Sequence, residues 1–288
     1  MIVARSPGEL EPAQRAVALG TFDGVHRGHR AVIDAVGATG LRATVLTFEP
    51  HPRLVLGYDV QLLTTLDRRL ELIGEAGLDE VLVVEFTQEL SRREPEAFVA
   101  EYLTGIGTEV VVAGEDFRFG AGRRGDVALL RLLGLEVRPV PLVEGVSSSR
   151  IRELVREGDL PGAAALLGRP FELEGEVVYG DQRGGTLGFP TANLAPDPHL
   201  LVPAYGIYAG EALGHRVAAS IGVNPHYGGS ERRIEAFLLD FEGDLYGSRL
   251  RLELWERLRE ERAFGSEEEL VAQIAADVEA ARAARRPA

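Results

Sequence analysis

The sequence predicts two architectures in series: an α/β domain built on a parallel sheet, then an antiparallel β-barrel with a C-terminal helix. In the first half, short β-branched runs alternate with amphipathic helical patterns, which is typical of parallel strands joined by crossover helices. Beyond residue 168, short runs of alternating polarity are separated by glycine-rich turns, which favours a barrel. The length of 288 residues suits two domains.

The elements of the first half follow from these patterns in chain order. The β-branched runs predict strands at residues 17–19, 43–48, 81–86, 110–113 and 137–143. The helical patterns predict helices at residues 28–36, 66–75, 95–103 and 126–133. Two short helices are expected at residues 149–158 and 159–167, because Gly168 and Pro170 then end the helical pattern. We therefore expect domains at residues 1–168 and 169–288.

The second half predicts barrel strands and one final helix. The alternating runs lie at residues 171–179, 205–209, 217–223, 234–241 and 250–255. The last helix starts at Glu267, because Ser266 and Glu269 form the sequence pattern of a capping box. Apolar residues along one face of this helix indicate that it covers the barrel: Leu270, Ile274 and Val278.

Composition narrows the possible functions. The net charge of −14 argues against a general nucleic-acid or membrane-surface binder, since such binding depends on basic residues. All 31 basic residues are arginine, which excludes a P-loop because that motif needs lysine. Without cysteine, disulfides, thiol nucleophiles and thiolate metal sites are also excluded. We expect a cytoplasmic protein with no membrane span, no nucleic-acid partner and no obligate protein partner.

Residues 20–29, GTFDGVHRGH, carry the strongest chemical signal. His26 and His29 lie where an apolar run gives way to a helical pattern, among the glycines Gly20, Gly24 and Gly28. A helix start already favours an anion, and two imidazoles on one helical face can add donors to a triphosphate. A nucleotide is therefore the first expected ligand. The alternative is that one histidine only caps or packs locally.

Three other unusual segments also follow predicted strands. They are residues 48–53 (FEPHPR), 114–120 (GEDFRFG) and 147–152 (SSSRIR). Because ligands of open α/β sheets bind beyond the carboxyl ends of the strands, the four segments are expected to converge on one crevice. Each has a simpler explanation: the prolines shape a turn, the serines cap a helix, and Phe117 and Phe119 belong to the core.

Taken in order, the four segments resemble the FMN adenylyltransferase module of bacterial bifunctional riboflavin kinase/FAD synthetases. These are relatives of nucleotidylyltransferases with an H-x-G-H signature, here His26-Arg27-Gly28-His29. The resemblance implies a nucleotidylyltransferase-like Rossmann domain in which the FMN phosphate attacks the α-phosphorus of ATP. The two histidines would bind the triphosphate and stabilise the departing pyrophosphate.

The same resemblance implies roles for individual residues. Arg152 would stabilise leaving-group charge, and Ser149 stands where the family usually has threonine, so the hydroxyl is kept. ATP or phosphate contacts are expected from Gly20, Phe22, Asp23, Gly28, Ser148 and Ser149. Flavin contacts are expected from His51, Pro52, Asp116 and Phe119.

A second glycine-rich segment, residues 180–193, lies in the second half. Its glycines let backbone approach a polyphosphate, and Thr191 and Asn193 offer neutral oxygens to a hard cation. Taken alone, such a loop is usually only a turn. The GFPTAN segment within it (188–193), however, resembles the hallmark of riboflavin kinase, as does its spacing to NPHYGG (224–229), IEAFLLDF (234–241) and GDLYG (243–247).

This second resemblance implies a riboflavin kinase-like barrel. Gly180 and Gly188 would approach ATP phosphates, and Mg²⁺-ATP would bind at Thr191 and Asn193. Glu235 would accept the proton of the riboflavin 5′-hydroxyl as it attacks the γ-phosphorus. The alternative is that Glu235 points to water, and alternation leaves this open because residues on both sides of it are apolar.

Two positions depart from the family pattern. His226-Tyr227 stands where Thr-Phe often follows Asn-Pro, and Phe237 stands where histidine is frequent. Neither change removes a residue assigned to chemistry.

The resemblance thus implies an enzyme that makes FMN and then FAD, with riboflavin, FMN and ATP as substrates, Mg²⁺ as cofactor, and FMN and FAD as product ligands. Three alternatives remain. A nucleotidylyltransferase for pantetheine or nicotinamide phosphates leaves the second half unexplained. A class I aminoacyl-tRNA synthetase usually needs a lysine-bearing signature that is absent here. A non-catalytic flavin-binding protein would bind without turnover.

Overall fold

The computed structural model of the chain describes residues 1–180, 189–223 and 232–287. Contacts divide the chain into two compact units. The first unit comprises Met1–Val60 and Leu66–Ser147, and the second comprises Gln61–Thr65 and Ser148–Ala288. The two short helices predicted at residues 149–158 and 159–167 thus belong to the second compact unit. The sequence analysis had placed them in the first domain, residues 1–168.

The first unit contains the predicted parallel sheet. Its strand order is β1-β4-β3-β2-β5-β6, with strands β1 Ile2–Ala4, β2 Arg15–Leu19, β3 Arg42–Glu49, β4 Glu80–Glu85, β5 Thr108–Gly114 and β6 Glu136–Val140. β2 is fully buried and lies in the middle, where Val17 pairs with Thr44 and Val111. Five strands were predicted, and the sixth, β1, was missed because three residues at an exposed edge carry too little pattern.

Helices connect the strands of this sheet as crossover connections require. They are α1 Arg27–Gly37, α2 Pro52–Val55, α3 Leu66–Gly74, α4 Gln88–Ser91, α5 Pro95–Tyr102 and α6 Val127–Leu132. α1 and α3 pack apolar faces on one side of the sheet, through Val32, Ile33 and Ile73. The short helices α2 and α4 were not predicted, because four residues are too few for a helical period to be visible.

A buried ion pair fixes the amino ends of the strands. Arg15 Nε donates to Glu80 Oε2 at 2.9 Å, and both side chains are 1% exposed. Thr44 Oγ1 also donates to Glu80, at 3.2 Å, and the Arg15 guanidinium donates to the Ile106 carbonyl at 2.5 Å. This network ties β2, β3 and β4 together at the sheet edge opposite the predicted ligand loops.

We expect Glu80→Ala to destabilise the first unit by about 3–5 kcal/mol, because it leaves the Arg15 charge buried and unpaired. Urea denaturation followed by far-UV circular dichroism measures this loss, while fluorescence of Trp255, the single tryptophan, reports on the second unit. Asp34→Ala is the matched control, since the Arg30–Asp34 pair is exposed and worth below about 1 kcal/mol. Equal effects of the two variants would contradict the role given to the buried pair.

The second unit contains a closed six-stranded barrel in the order β10-β11-β8-β7-β12-β9. Its strands are β7 Phe171–Val178, β8 Ala192–Pro196, β9 Gly206–Ala212, β10 His215–Val223, β11 Arg232–Leu238 and β12 Arg249–Arg259. The predicted antiparallel barrel is confirmed. The sequence missed β8, because five residues containing asparagine and proline have low strand propensity. β11 also ends at Leu238, three residues before its predicted end.

A short segment between α2 and α3 is built into the second unit. Leu62 forms a parallel bridge with Leu200, and Leu63 is 4% exposed within the barrel core cluster. Thr65 Oγ1 donates to the buried Glu174 carboxylate of β7 at 2.8 Å. The second unit therefore takes part of its core from a segment more than a hundred residues upstream in the sequence.

The described part of this unit also contains the helices α7 Ser148–Glu157, α8 Leu160–Leu167 and α9 Glu267–Ala283. Ser266 caps α9 as predicted, accepting a hydrogen bond from the Glu269 amide at 3.2 Å. α9 covers the fully buried Trp255 of β12 with Ala281, and Asp277 binds Arg259 at 2.6 Å. The C-terminal helix therefore packs on the barrel, as expected. Among the described residues, no helix has the length and apolarity required to cross a bilayer.

Candidate active sites

The histidine loop of the first unit lies directly beyond the central strand β2. His26 is the N-cap residue of α1, and its Nδ1 accepts a hydrogen bond from the His29 amide at 3.2 Å. The two imidazoles stack with centroids 3.6 Å apart and planes 12° apart. The sequence therefore places both rings together at a helix start, as predicted, where backbone amides and the helix dipole favour an anion.

The loop that presents these histidines has unusual backbone. Phe22 and Val25 have positive φ angles of 53° and 38°, and Phe22, Asp23 and His26 are buried. The Phe22 ring lies 5.2 Å from the His29 ring. Non-glycine residues at positive φ are uncommon and cluster at functional sites.

The two predicted phosphate-binding glycines contact these aromatic rings. A Cβ atom on Gly20 would lie 3.1 Å from the Phe22 ring, and one on Gly28 would lie 3.2 Å from the His26 ring. Both glycines therefore leave room for the side chains that shape the loop. This is a packing reason for glycine at those positions, in addition to the backbone access that the sequence suggested.

Two further predicted segments follow the strands beside β2. His51 caps α2 after β3; it is buried, and its Nδ1 accepts from the Arg53 amide at 3.2 Å. Pro52 is the first residue of that helix. Asp116 is exposed in the loop after β5. Because β3, β2 and β5 are neighbours in the sheet, three of the four segments adjoin at one sheet edge.

Phe119 serves mainly as core. It is 7% exposed and contacts the rings of Phe98 and Phe117 at 5.8 and 5.7 Å. A Cβ atom on Gly125 would lie 2.7 Å from the Phe119 ring. The aromatic side chain therefore anchors the loop that carries Asp116.

The fourth segment crosses the division between the units. Ser148 and Ser149 begin α7, and Arg152 lies on the same helix, all within the second unit. Arg152 is 6% exposed, and its Nε donates to the Gln61 carbonyl at 2.6 Å. These three residues are thus not in the compact unit that holds the histidines.

The second candidate site lies at one end of the barrel. A cavity of about 180 Å³ opens there. It is lined by Val177, Pro190, Thr191, Ala192, Ala236, Leu238, Phe241, Gly243, Asp244, Leu245 and Tyr246. Tyr246 stacks on the exposed Tyr179 with centroids 4.0 Å apart. The cavity thus combines apolar side chains, the polar groups of Thr191, Asp244 and Tyr246, and an aromatic rim, which suits a flat heterocycle.

Glu235 lies on the outer face of this barrel. Ile234, Ala236 and Leu238 of β11 are buried, whereas the alternate residues Glu235 and Phe237 are partly exposed. Strand register places Glu235 opposite Asn193 of β8. The structure therefore settles which face carries Glu235, and it places a carboxylate beside an amide that the sequence had assigned to the same site.

Gly180 and Phe189 complete the described part of this site. A Cβ atom on Gly180 would lie 2.3 Å from the Asn193 side-chain nitrogen, so glycine is required there for close approach. Phe189 and Phe237 meet edge to face at 5.5 Å. Gly188 and the segment at 224–229 lie outside the described residues.

Burial raises the pKa of the Glu261 carboxyl, which lies against the end of β10. A Cβ atom on Gly222 would lie 1.7 Å from this carboxylate. Desolvation is the largest cause of the shift, and a hydrogen bond with the Val223 backbone and the charge of Arg259 oppose it. The sequence singled out the GDLYG segment that contains Tyr246, but not Tyr246 itself. It did not single out Glu261 or Tyr179, because neither lies in a recognised motif.

Two protein families match successive parts of this chain. A family model described as FAD synthetase matches residues 9–151, and one described as Riboflavin kinase matches residues 167–285. The bifunctional riboflavin kinase/FMN adenylyltransferase of Listeria monocytogenes is 38% identical, covering 96% of this chain and 94% of its own. The protein of the same name from Escherichia coli (strain K12) is 38% identical, covering 90% and 89%.

The similarity to solved structures also extends along the whole chain. A crystal structure described as a macrolide-efflux protein from Streptococcus pneumoniae has a TM-score of 0.89 and 30% identity, and the match covers 99% of each chain. Both units thus occur together in a solved protein. From the two family models, the full-length relatives and the two sites of different architecture, we conclude that this chain belongs to the bifunctional riboflavin kinase/FMN adenylyltransferase family.

Proposed function

We propose that the chain makes FMN at the barrel site and FAD at the histidine site, each from ATP. The observation that carries this proposal is the separation of the two residue sets: the stacked histidines lie in the first compact unit, and Glu235, Asn193 and Thr191 lie in the second. In terms of sequence, we assign FMN adenylylation to residues 1–168, linker helices included, and riboflavin phosphorylation to residues 169–288.

At the first site, the FMN phosphate oxygen attacks the α-phosphorus of ATP, and the bond from that phosphorus to the β-phosphate oxygen breaks. His26 and His29 donate hydrogen bonds to the triphosphate and to the departing pyrophosphate. The stacked geometry at the α1 N-terminus supports this role, because donors already in place need no rearrangement during the reaction. Asp23, which we also assign to the ATP contacts, is buried in the same loop.

The remaining contacts of this site are assigned by position. His51, Pro52 and Asp116 contact the flavin nucleotide from the neighbouring loops, and Phe119 holds the Asp116 loop in place. Gly20, Phe22 and Gly28 shape the loop around ATP. The phosphate roles expected for Ser148, Ser149 and Arg152 stay predictions, because these residues belong to the second compact unit.

At the second site, Glu235 accepts the proton of the riboflavin 5′-hydroxyl as that oxygen attacks the γ-phosphorus and ADP leaves. The partly exposed carboxylate on the outer barrel face supports this role, because substrate can reach it. The cavity lined by Thr191 receives the flat base of the nucleotide. Phe189 and Phe237, on the side of Glu235, offer aromatic surface to the isoalloxazine ring.

Mg²⁺ fits the donors of the second site. Thr191 and Asn193 provide neutral oxygens, and Asn193 lies beside the Glu235 carboxylate. No cluster of three histidine or acidic side chains suited to a metal occurs in the described ranges. Mg²⁺ usually binds few protein groups together with substrate phosphates, so Thr191 and Asn193 would hold it together with the phosphates of ATP. When bound, it would neutralise charge on the ATP phosphates.

Incubation of the purified protein with riboflavin, ATP and Mg²⁺, followed by chromatography of the flavins, tests the proposal. We expect FMN to appear first and FAD to follow, and FAD to form directly when FMN is supplied. Nicotinamide mononucleotide and phosphopantetheine serve as competing acceptors and should not react. Flavin binding without turnover would instead identify a regulatory flavin-binding protein.

We propose that the protein has no nucleic-acid or membrane partner, since its net charge of −14 opposes binding to polyanions. We also propose that it has no obligate protein partner. We also propose a cytoplasmic location, because both reactions consume ATP.

Gly180→Ala is expected to reduce riboflavin phosphorylation on the order of 10-fold to 100-fold, because the added methyl group displaces Asn193. Formation of FAD from supplied FMN should not change. Gly265→Ala is the control within the same unit, since its Cβ would make only an ordinary contact, 3.6 Å from Glu269. Unchanged kinase kinetics in the Gly180 variant would remove Asn193 from the site.

A further inference from the structure

A buried arginine connects the two histidine-bearing loops of the first unit. Arg69 lies on α3, and 1% of its surface is exposed. Its guanidinium donates to the Thr21 carbonyl at 2.9 Å and to the Phe48 carbonyl at 3.0 Å. It also donates to Thr47 Oγ1 at 3.3 Å and to Glu49 Oε2 at 2.5 Å. One side chain thus holds acceptors from the ends of β2 and β3.

The acceptors lie where the ligand loops begin. Thr21 immediately precedes Phe22, the first residue at positive φ in the histidine loop. Its carbonyl accepts a second hydrogen bond from Thr47 Oγ1 at 3.0 Å. Glu49 is two residues before His51. The distance between the two loops is therefore set through Arg69 and Thr47, close to the histidines on both sides.

The contacts use both terminal nitrogens of the guanidinium. Its planar guanidinium presents five donors in a fixed fork, whereas a lysine ammonium has three donors on a flexible stem. The Glu49 carboxylate, 31% exposed, balances the buried charge. Nη1 holds both carbonyls and Thr47, and Nη2 holds Glu49. A lysine would keep the charge, but its single nitrogen could not hold the carbonyls and Glu49 as these two nitrogens do.

We propose that Arg69 is a positioning residue for adenylyl transfer. It fixes the His26–His29 loop relative to the His51 loop, so that the triphosphate bound by one lies in line with the flavin phosphate bound by the other. This inference depends on the proposed function of the first unit. A displacement of about 1 Å between reacting groups can reduce turnover 100-fold, so loss of the fixed spacing should lower kcat more than it raises KM.

Arg69→Lys tests this proposal, with Arg15→Lys as the matched control. Arg15 is also 1% exposed and hydrogen-bonded to backbone carbonyls and a carboxylate, but it lies at the amino end of β2, next to Glu80. Both variants should lower the thermal stability of the first unit. We expect only Arg69→Lys to reduce kcat for FAD formation, on the order of 10-fold, with the KM for ATP within about 3-fold. Riboflavin phosphorylation, measured on the same samples, should not change.

The outcomes separate this inference from the proposed function. If the wild-type protein forms no FAD, the proposed function of the first unit is wrong. If the wild type forms FAD and Arg69→Lys keeps its kcat, or if Arg15→Lys loses as much, the positioning role is wrong.

Thr47→Val provides a second readout, because it removes the other donor to the Thr21 carbonyl. Since both side chains hold one atom, the kcat losses of Thr47→Val and Arg69→Lys should not multiply in the double variant. A combined loss equal to the product of the single losses would show that the two residues act independently, and would overturn the shared role.

Discussion

Replacement of both His26 and His29 by alanine is expected to abolish the formation of FAD from FMN and ATP. Preorganised donors to developing charge are each worth on the order of 10²–10³ in kcat, and this variant removes two of them from the triphosphate. Phosphorylation of riboflavin should proceed at the wild-type rate, because both histidines lie in the first unit. Assays with FMN alone and with riboflavin alone measure the two reactions separately.

A single variant separates the phosphate role of His26 from its structural role. His26 also caps α1, and alanine would remove that cap. His26→Asn keeps a side-chain acceptor suited to the N-cap position and removes the imidazole. It should therefore still lose FAD formation while keeping the stability of the first unit. His199→Ala, at an exposed position of the second unit, is the control and should change neither reaction. Retained FAD synthesis in the double variant would remove both histidines from the mechanism.

Sequence patterns predicted the position of the histidine loop, because this loop follows a buried, β-branched strand. Residues 20–29 had to lie beyond the carboxyl end of the central strand once β2 was recognised, and the stacked histidines follow from their spacing. Arg69 was not visible, because an arginine in a polar helical pattern normally faces water. Its role depends on two carbonyl groups brought together by the fold, and sequence alone gives no sign of such an arrangement.

The second site shows a different limit. Alternation failed for β11, because Phe237 is apolar and yet lies on the outer face with Glu235. Which side of the barrel Glu235 lies on depends on its pairing with another strand. Its partner Asn193 belongs to β8, which was not predicted as a strand. Long-range pairing decided the face, and no local pattern reports such pairing. The short segment around Leu63, which enters the barrel core from far upstream, was missed for the same reason.

Glu235→Ala is expected to abolish FMN formation from riboflavin and to leave FAD formation from supplied FMN intact. Removal of a general base typically costs 10²–10⁴ in rate, and Glu235 is the carboxylate that strand register places beside Asn193. Glu235→Gln should lose as much as the alanine variant, because the amide keeps the shape and hydrogen-bonding capacity of the side chain but cannot accept the hydroxyl proton.

The comparison of these two variants identifies what Glu235 contributes. If Glu235→Gln keeps most of the kinase rate while Glu235→Ala does not, the side chain positions riboflavin and another group takes the proton. If both variants lose FMN and FAD formation together, the assignment of separate sites is wrong, because adenylylation of supplied FMN does not require a residue of the barrel's outer face. Glu279→Ala, on the exposed side of α9, serves as the control. We expect this variant to keep both activities. That result would show that the losses in the Glu235 variants are specific to that position and do not follow from removing any surface carboxylate.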